Sequence, residues 1–135
     1  MKILISQIEY IKPPRNFVFD ALERSYYKFL HSHELMPVPN TNKVAYNDYD
    51  CLMLTGGPDS VARNNTENLL YNDAVNKGKP IIGICHGAFA INDICKGTNG
   101  HVDDHVDADI KIIMEGNEHI VKCYHSQSIE TLAKN

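Results

Sequence analysis

PIIGICHGAF, residues 80 to 89, decides how this 135-residue chain is read. Pro80-Ile81-Ile82 opens a short apolar run that reaches Ile84, the length of a buried strand. Ala88, Ile91, Ile94 and Cys95 then recur at helical spacing until Gly97 closes the segment. A strand running straight into a helix predicts a sharp turn, with Cys85 at its apex. Gly83-Ile84-Cys85-His86-Gly87 has the form G-x-C-x-G, the pattern of the nucleophile elbow G-x-S-x-G with sulfur in place of oxygen. An apex side chain needs strained backbone, and positions two residues to either side pass so near other backbone that glycine is required. The helix that follows aims its N-terminal amides at the thiol, where their dipoles favour negative charge. The N–H of His86, next after Cys85, is placed to receive an oxyanion. The same five residues also fit a tight turn around a buried structural cysteine, but the strand before and the helix after favour a nucleophile.

Working outward, Cys51-Leu52-Met53-Leu54 is a second continuous apolar run, and it stops at Thr55-Gly56-Gly57-Pro58-Asp59. Asn65 or Thr66 is expected to cap a helix carrying Leu69, Leu70, Ala74 and Val75, which Gly78 and Pro80 terminate. Residues 2 to 8 predict a first strand. Pro13-Pro14 interrupts, and Asn16 is expected to cap a helix to about His33 with Phe17, Ala21, Leu22, Tyr26, Phe29 and Leu30 on one face. His31 and His33 suit that helix's C-terminal dipole. Leu35 to Val38 reads as another strand. Strands that are apolar throughout, alternating with helices, predict a parallel sheet covered on both faces. The last third differs: Ile110–Met114 and His119–Tyr124 flank Glu115-Gly116-Asn117-Glu118 as an antiparallel hairpin. Ser128 to Asn135 reads as the start of a further helix. In an open parallel sheet, sites form at the carboxyl ends of strands, which places Gly56-Gly57 beside Cys85.

Composition narrows the function classes. A formal charge of −4 gives no electrostatic footprint for nucleic acid. No apolar stretch approaches the roughly 20 residues of a membrane span, and Met1 to Ser6 is too short for a signal peptide. Cys51, Cys85, Cys95 and Cys123 are widely spaced, which argues against a disulfide framework or zinc ribbon and for a cytoplasmic, reducing setting. His101, Asp103, Asp104, His105, Asp107 and Asp109 are residue types that ligate metals. They are expected to lie in a surface loop, and neither a metal nor a cofactor is expected.

Leu54-Thr55-Gly56-Gly57-Pro58, then Gly78 to Gly87, then Tyr124-His125-Ser126-Gln127-Ser128 occur in the order and spacing of the class I glutamine amidotransferases. The chain resembles that family over essentially its whole length, and most closely its γ-glutamyl hydrolase branch, which includes the γ-glutamyl-γ-aminobutyrate hydrolases. The expected fold is α/β, flavodoxin-like and doubly wound, with a largely parallel sheet, helices on both faces and an antiparallel hairpin, as one domain over residues 1–135. By the resemblance Cys85 is the nucleophile that attacks a γ-glutamyl carbonyl. Gly57 and His86 supply the oxyanion-hole amides. Ser126 and Gln127 hold the α-amino and α-carboxylate ends of the glutamyl group. The reaction passes through a γ-glutamyl thioester that is hydrolysed to glutamate, releasing ammonia or another amine.

This sequence departs from the family pattern in three places. The family's catalytic His and Glu come from an H-P-E segment some tens of residues beyond Tyr-His-Ser-Gln. The sequence ends eight residues past Gln127 without one, so the domain is expected to be truncated. His125 is the best internal candidate to substitute as base. His86 stands where relatives often have Arg or Leu, and its side chain is expected to face solvent. Phe89 stands where many amidotransferases place a substrate-contacting Gln, which favours a γ-glutamyl conjugate over free glutamine. Three functions follow. The first is a hydrolase of small-molecule γ-glutamyl amides, with a γ-glutamyl-nucleotide amidate of surface-polysaccharide synthesis as one candidate. The second is a glutaminase that docks a synthetase partner and feeds it ammonia. The third is a non-catalytic domain that retains the fold. A homodimer is the other expected association; neither nucleic acid nor a membrane is an expected partner.

Overall fold

Leu4, Leu52 and Leu54 bury into one side of a central sheet while Ile3, Ile5 and Met53 bury into the other. This two-sided burial explains why the strands read as unbroken apolar runs rather than as alternating ones. The computed structural model describes residues 1–43 and 45–134. Its central sheet comprises β1 (Lys2–Ser6), β4 (Glu34–Val38), β5 (Cys51–Leu54) and β6 (Ile81–Gly83), all parallel, in the order β4-β1-β5-β6. Numbered by their own succession these strands run 2-1-3-4, the flavodoxin-like order. Between β1 and β4 lie β2 (Ile8–Lys12), β3 (Phe17–Ala21) and α1 (Arg24–Phe29). β5 leads through α2 (Val61–Asn76) to β6, and β6 runs into α3 (His86–Ile94). Tyr26 and Leu30 of the α1 region pack on the Ile3, Ile5 and Met53 side. Leu70 and Ala74 of α2, with Ile91 of α3, pack on the Leu4 and Leu52 side. Helices therefore cover both faces, as the strand pattern requires.

Three antiparallel pairs complete the chain: β2 with β3, β8 (Val106–Met114) with β9 (Asn117–Tyr124), and β7 (Thr98–His101) with β10 (Gln127–Thr131). The expected hairpin is β8–β9, and it turns at Glu115-Gly116, where both residues have positive φ. β10 corrects the helix expected from Ser128 onward. Its anchor is Asn92, 4% exposed on α3, whose carboxamide Nδ2 donates to the Thr98 and Thr131 carbonyls at 3.2 Å each. The Ala133 N–H donates back to Asn92 Oδ1 at 2.9 Å. A side chain buried between two strands holds residues 127–131 in extended pairing with β7.

Two helix boundaries also differ from expectation. The helix predicted from Asn16 to His33 is a hairpin followed by a six-residue helix. Asn16 adopts φ 52° in the turn and caps nothing. Phe17, Val18 and Phe19 are aromatic and β-branched, suited to a strand, and they alternate against Lys12, Ile11 and Tyr10. Of the predicted stripe, Leu22, Tyr26 and Leu30 reach the core, and Phe17 and Phe29 are exposed. His31 keeps a role past the short helix, with Nδ1 bonded to the Lys28 carbonyl at 3.2 Å. Helix α2 starts earlier than predicted. Ser60 caps it by accepting from the Arg63 N–H at 3.2 Å. Its buried face is Arg63, Thr66, Glu67, Leu70 and Ala74, whereas Leu69 and Val75 are exposed. Apolar periodicity misses this face because its first turns bury charge.

Candidate active site

Cys85 sits between β6 and α3 at φ 53°, ψ −112°, and its side chain is exposed. A non-glycine residue at positive φ stores on the order of 1–3 kcal/mol of backbone strain, consistent with a nucleophile elbow. The flanking glycines are sterically required. A Cβ on Gly87 would stand 2.2 Å from the Leu54 carbonyl oxygen, and one on Gly83 would stand 2.6 Å from the Gly87 oxygen. Close approach of this turn to β5 is fixed by the Gly87 N–H, which donates to the Thr55 carbonyl at 3.1 Å. The Ile84 N–H likewise donates to Leu54 at 2.9 Å.

The loop after β5 lies against the thiol. A Cβ on Gly56 would be 3.4 Å from Cys85 Cβ, and Gly57 takes φ 107°, a conformation that L side chains rarely adopt. The Gly56 N–H is held by the Tyr26 hydroxyl at 3.0 Å. Arg63 grips the same loop from beneath. Its Nη2 donates to the Thr55 carbonyl at 2.6 Å and its Nη1 to the Pro58 carbonyl at 2.8 Å. Its Nε donates to Glu67 Oε1 at 2.9 Å. Arg63 and Glu67 are both fully buried. Ser6 at the end of β1 donates to Glu67 Oε1 at 2.7 Å, and His86 Nε2 meets Oε2 at 3.0 Å.

An ionised carboxylate only accepts, so His86 carries its proton on Nε2. Burial pushes the Glu67 carboxyl up. The His86 hydrogen bond, the Arg63 charge and the bonds from Ser6 and Arg63 together outweigh it, and the group rests below the ordinary carboxylate range. The expectation of a solvent-facing His86 side chain is thus corrected: the residue is 8% exposed and its ring is tied to Glu67. Arg63 and Glu67 are the residues that sequence reasoning missed. Their i,i+4 spacing was the available signal, but the same spacing marks countless surface pairs.

A cleft of about 500 Å³ collects the five predicted site residues, Gly57, Cys85, His86, Ser126 and Gln127. Phe89 and His125 also line it. An adjoining hollow of about 350 Å³ shares Asp59, His86, Phe89 and Gln127 and adds polar side chains from α2 and α3, among them Asn64, Asn68 and Asp93. The His and Asp residues that are clustered in sequence divide into separate groups. His101 bonds Asp103 at 3.0 Å, and Asp107 and Asp109 reach Lys122 at 3.1 and 3.6 Å. His105 turns toward Cys123 and His125 instead. No described helix is long and apolar enough to cross a membrane.

A strained cysteine turn beneath a glycine loop, at the carboxyl ends of β5 and β6, sits in an α/β domain with a flavodoxin-like sheet. Residues 16–135 match the family model for glutamine amidotransferase class-I, and the chain belongs to that family. A solved protein described as the crystal structure of SMU.1228c is similar in fold, with a TM-score of 0.64 and 18% identity over 98% of this chain. The chain spans 64% of that protein's length. No curated protein matches the sequence.

Proposed function

We propose that the chain is a cysteine-dependent hydrolase of γ-glutamyl amides, acting through a γ-glutamyl thioester on Cys85. The observation that carries this reading is the strained, exposed Cys85, which opens into one cleft with Gly57, His86, Ser126 and Gln127. In this reading Sγ attacks the γ-carbonyl, and the N–H groups of Gly57 and His86 receive the oxyanion. Ser126 and Gln127 hold the amino-acid end. The amine leaves with a proton, and water releases glutamate from the thioester. Phe89 in the cleft and the polar hollow beyond it favour a substrate with a sizeable polar leaving group, a γ-glutamyl conjugate rather than free glutamine. Membership of the amidotransferase family supports a second reading, a glutaminase that delivers ammonia to a synthetase.

Intact mass after incubation with a glutamine-derived electrophile tests the nucleophile. One adduct is expected on the native chain and none on Cys85→Ala; an adduct that persists in the variant defeats the assignment. Adduct formation needs only the thiol and its cleft. Hydrolysis of a γ-glutamyl amine panel reads proton transfer as well, and it separates conjugate hydrolysis from glutaminase activity. Labelling at Cys85 without turnover of any panel member, or of glutamine with a synthetase present, would favour a domain that keeps the fold without the reaction.

A further inference from the structure

Strands β8 and β9 bring three metal-type donors to one point. The His125 N–H donates to the His105 carbonyl at 3.2 Å, so the two histidines face each other across the open end of the hairpin. Cys123 lies near the end of β9 and precedes His125, the first residue past it, by two positions. The pairing breaks register between Val106 and Ala108, with Asp107 at φ 56°, and this bulge lies beside His105 at the hairpin's mouth. The His105 and His125 rings meet edge to face with centroids 5.1 Å apart. One donor atom from each of His105, Cys123 and His125 lies within 4.8 Å of the other two.

Two further observations give the cluster the character of a ligand site. His125 Nδ1 lies 2.8 Å from the Gln127 carbonyl, which can only accept, so Nδ1 carries the proton and Nε2 keeps a free lone pair. Metal-bound histidines are oriented in this way by a carbonyl on their other nitrogen. His105 Nδ1 is buried and without a hydrogen-bond partner among the described residues. An unpaired buried nitrogen costs free energy, and a bound cation removes that cost. Two imidazoles and a thiolate are a donor set suited to zinc. Zinc's tetrahedral bond lengths of about 2.0–2.3 Å need donors somewhat closer than 4.8 Å, within reach of small side-chain rotations.

We propose that His105, Cys123 and His125 bind a zinc-class divalent cation, with a fourth position left for water or an added ligand. On binding, Cys123 releases its thiol proton to solvent and coordinates as thiolate, while the two histidines coordinate as neutral imidazoles. The ion clips the end of β9 to the start of β8. Through His125 Nδ1–H it also braces the Gln127 carbonyl, at the edge of the Cys85 cleft. The proposal does not rest on the chemistry assigned to Cys85.

Calorimetric titration of the metal-stripped chain with zinc chloride tests it, alongside near-ultraviolet absorption of the cobalt-loaded chain. The expected result is one equivalent bound, weakened more than about tenfold by His105→Ala and by Cys123→Ser and unchanged by Cys85→Ser. A thiolate-to-cobalt band is expected in the native chain and absent in Cys123→Ser. Thermal melts confirm that each variant is folded, and the native cobalt band reads the sulfur ligand without any variant. The proposal is overturned by no binding, by undiminished binding in Cys123→Ser, or by binding that depends on Cys85.

Discussion

At the scale of single residues, strain and close approach identify Cys85 more sharply than exposure does. Its φ of 53° is tolerated because β5 and α3 hold the turn on both sides. Replacing it with glycine, which adopts positive φ freely, is expected to stabilise the chain by about 1 kcal/mol while abolishing electrophile labelling. Urea unfolding and intact mass measure the two effects, and a loss of stability in the variant would argue against stored strain. Gly87→Ala is expected to act in the opposite sense. Its Cβ would stand 2.2 Å from the Leu54 carbonyl, and moving the turn away from β5 is expected to cost about 3 kcal/mol or more of unfolding free energy. The need for glycine here is legible in G-x-C-x-G. The atom it makes room for, on a strand some thirty residues earlier, is not.

Among elements, α2 couples the glycine loop after β5 to the turn at Cys85. Arg63 and Glu67 lie one turn apart on its buried face and join Thr55, Pro58, Ser6 and His86. Glu67→Ala leaves the Arg63 guanidinium buried without its counter-ion, an uncompensated charge expected to cost about 3–5 kcal/mol. Because the Glu67 carboxyl rests below its ordinary 4.5 in the folded chain, the unfolded chain binds the extra proton first as pH falls. The stabilisation is complete above the unfolded value and drains away as pH drops through the folded one. Stability against urea, followed downward from neutral pH, is therefore expected to fall less steeply in Glu67→Gln than in the native chain, and equal slopes would contradict the assignment. Ser60→Ala removes the α2 N-cap and is expected to cost about 1 kcal/mol, read from the thermal midpoint. Apolar spacing located a helix in this region, but its start and its face depended on a buried ion pair that periodicity cannot register.

Over the whole molecule, cohesion is uneven. β1 and β5 lie inside the sheet with both faces covered, whereas the β2–β3 and β8–β9 hairpins each pair only with themselves among the described residues. Phe17, Val18 and Phe19 on one hairpin, and Ile113, Met114 and Ile120 on the other, stay exposed. Amide hydrogen exchange is expected to be slowest in β1 and β5 and faster by orders of magnitude in both hairpins. Uniform protection across the chain would contradict this ordering. The β7–β10 pair should fall between the two, because Asn92 ties it to α3, and Asn92→Ala should move it toward the hairpins.

What the sequence determined by itself is the frame and the position of the sharp turn at Cys85. Apolar runs specify strands buried on two faces, and G-x-C-x-G and Thr-Gly-Gly-Pro mark where the chain turns sharply at their carboxyl ends. These are local signals, set by period and by backbone freedom within a few residues. Tertiary structure decided the rest. Residues 17 to 21 became a strand because β2 offered a pairing edge, and residues 127 to 131 did so because β7 and Asn92 did. His86 turned inward because Glu67 waited on a helix nineteen positions away. His105 left its acidic neighbours for Cys123 and His125 because an antiparallel register with one bulge set them face to face. Each outcome depends on a partner distant in sequence, and propensity and spacing carry no information about which distant groups the fold brings within bonding distance.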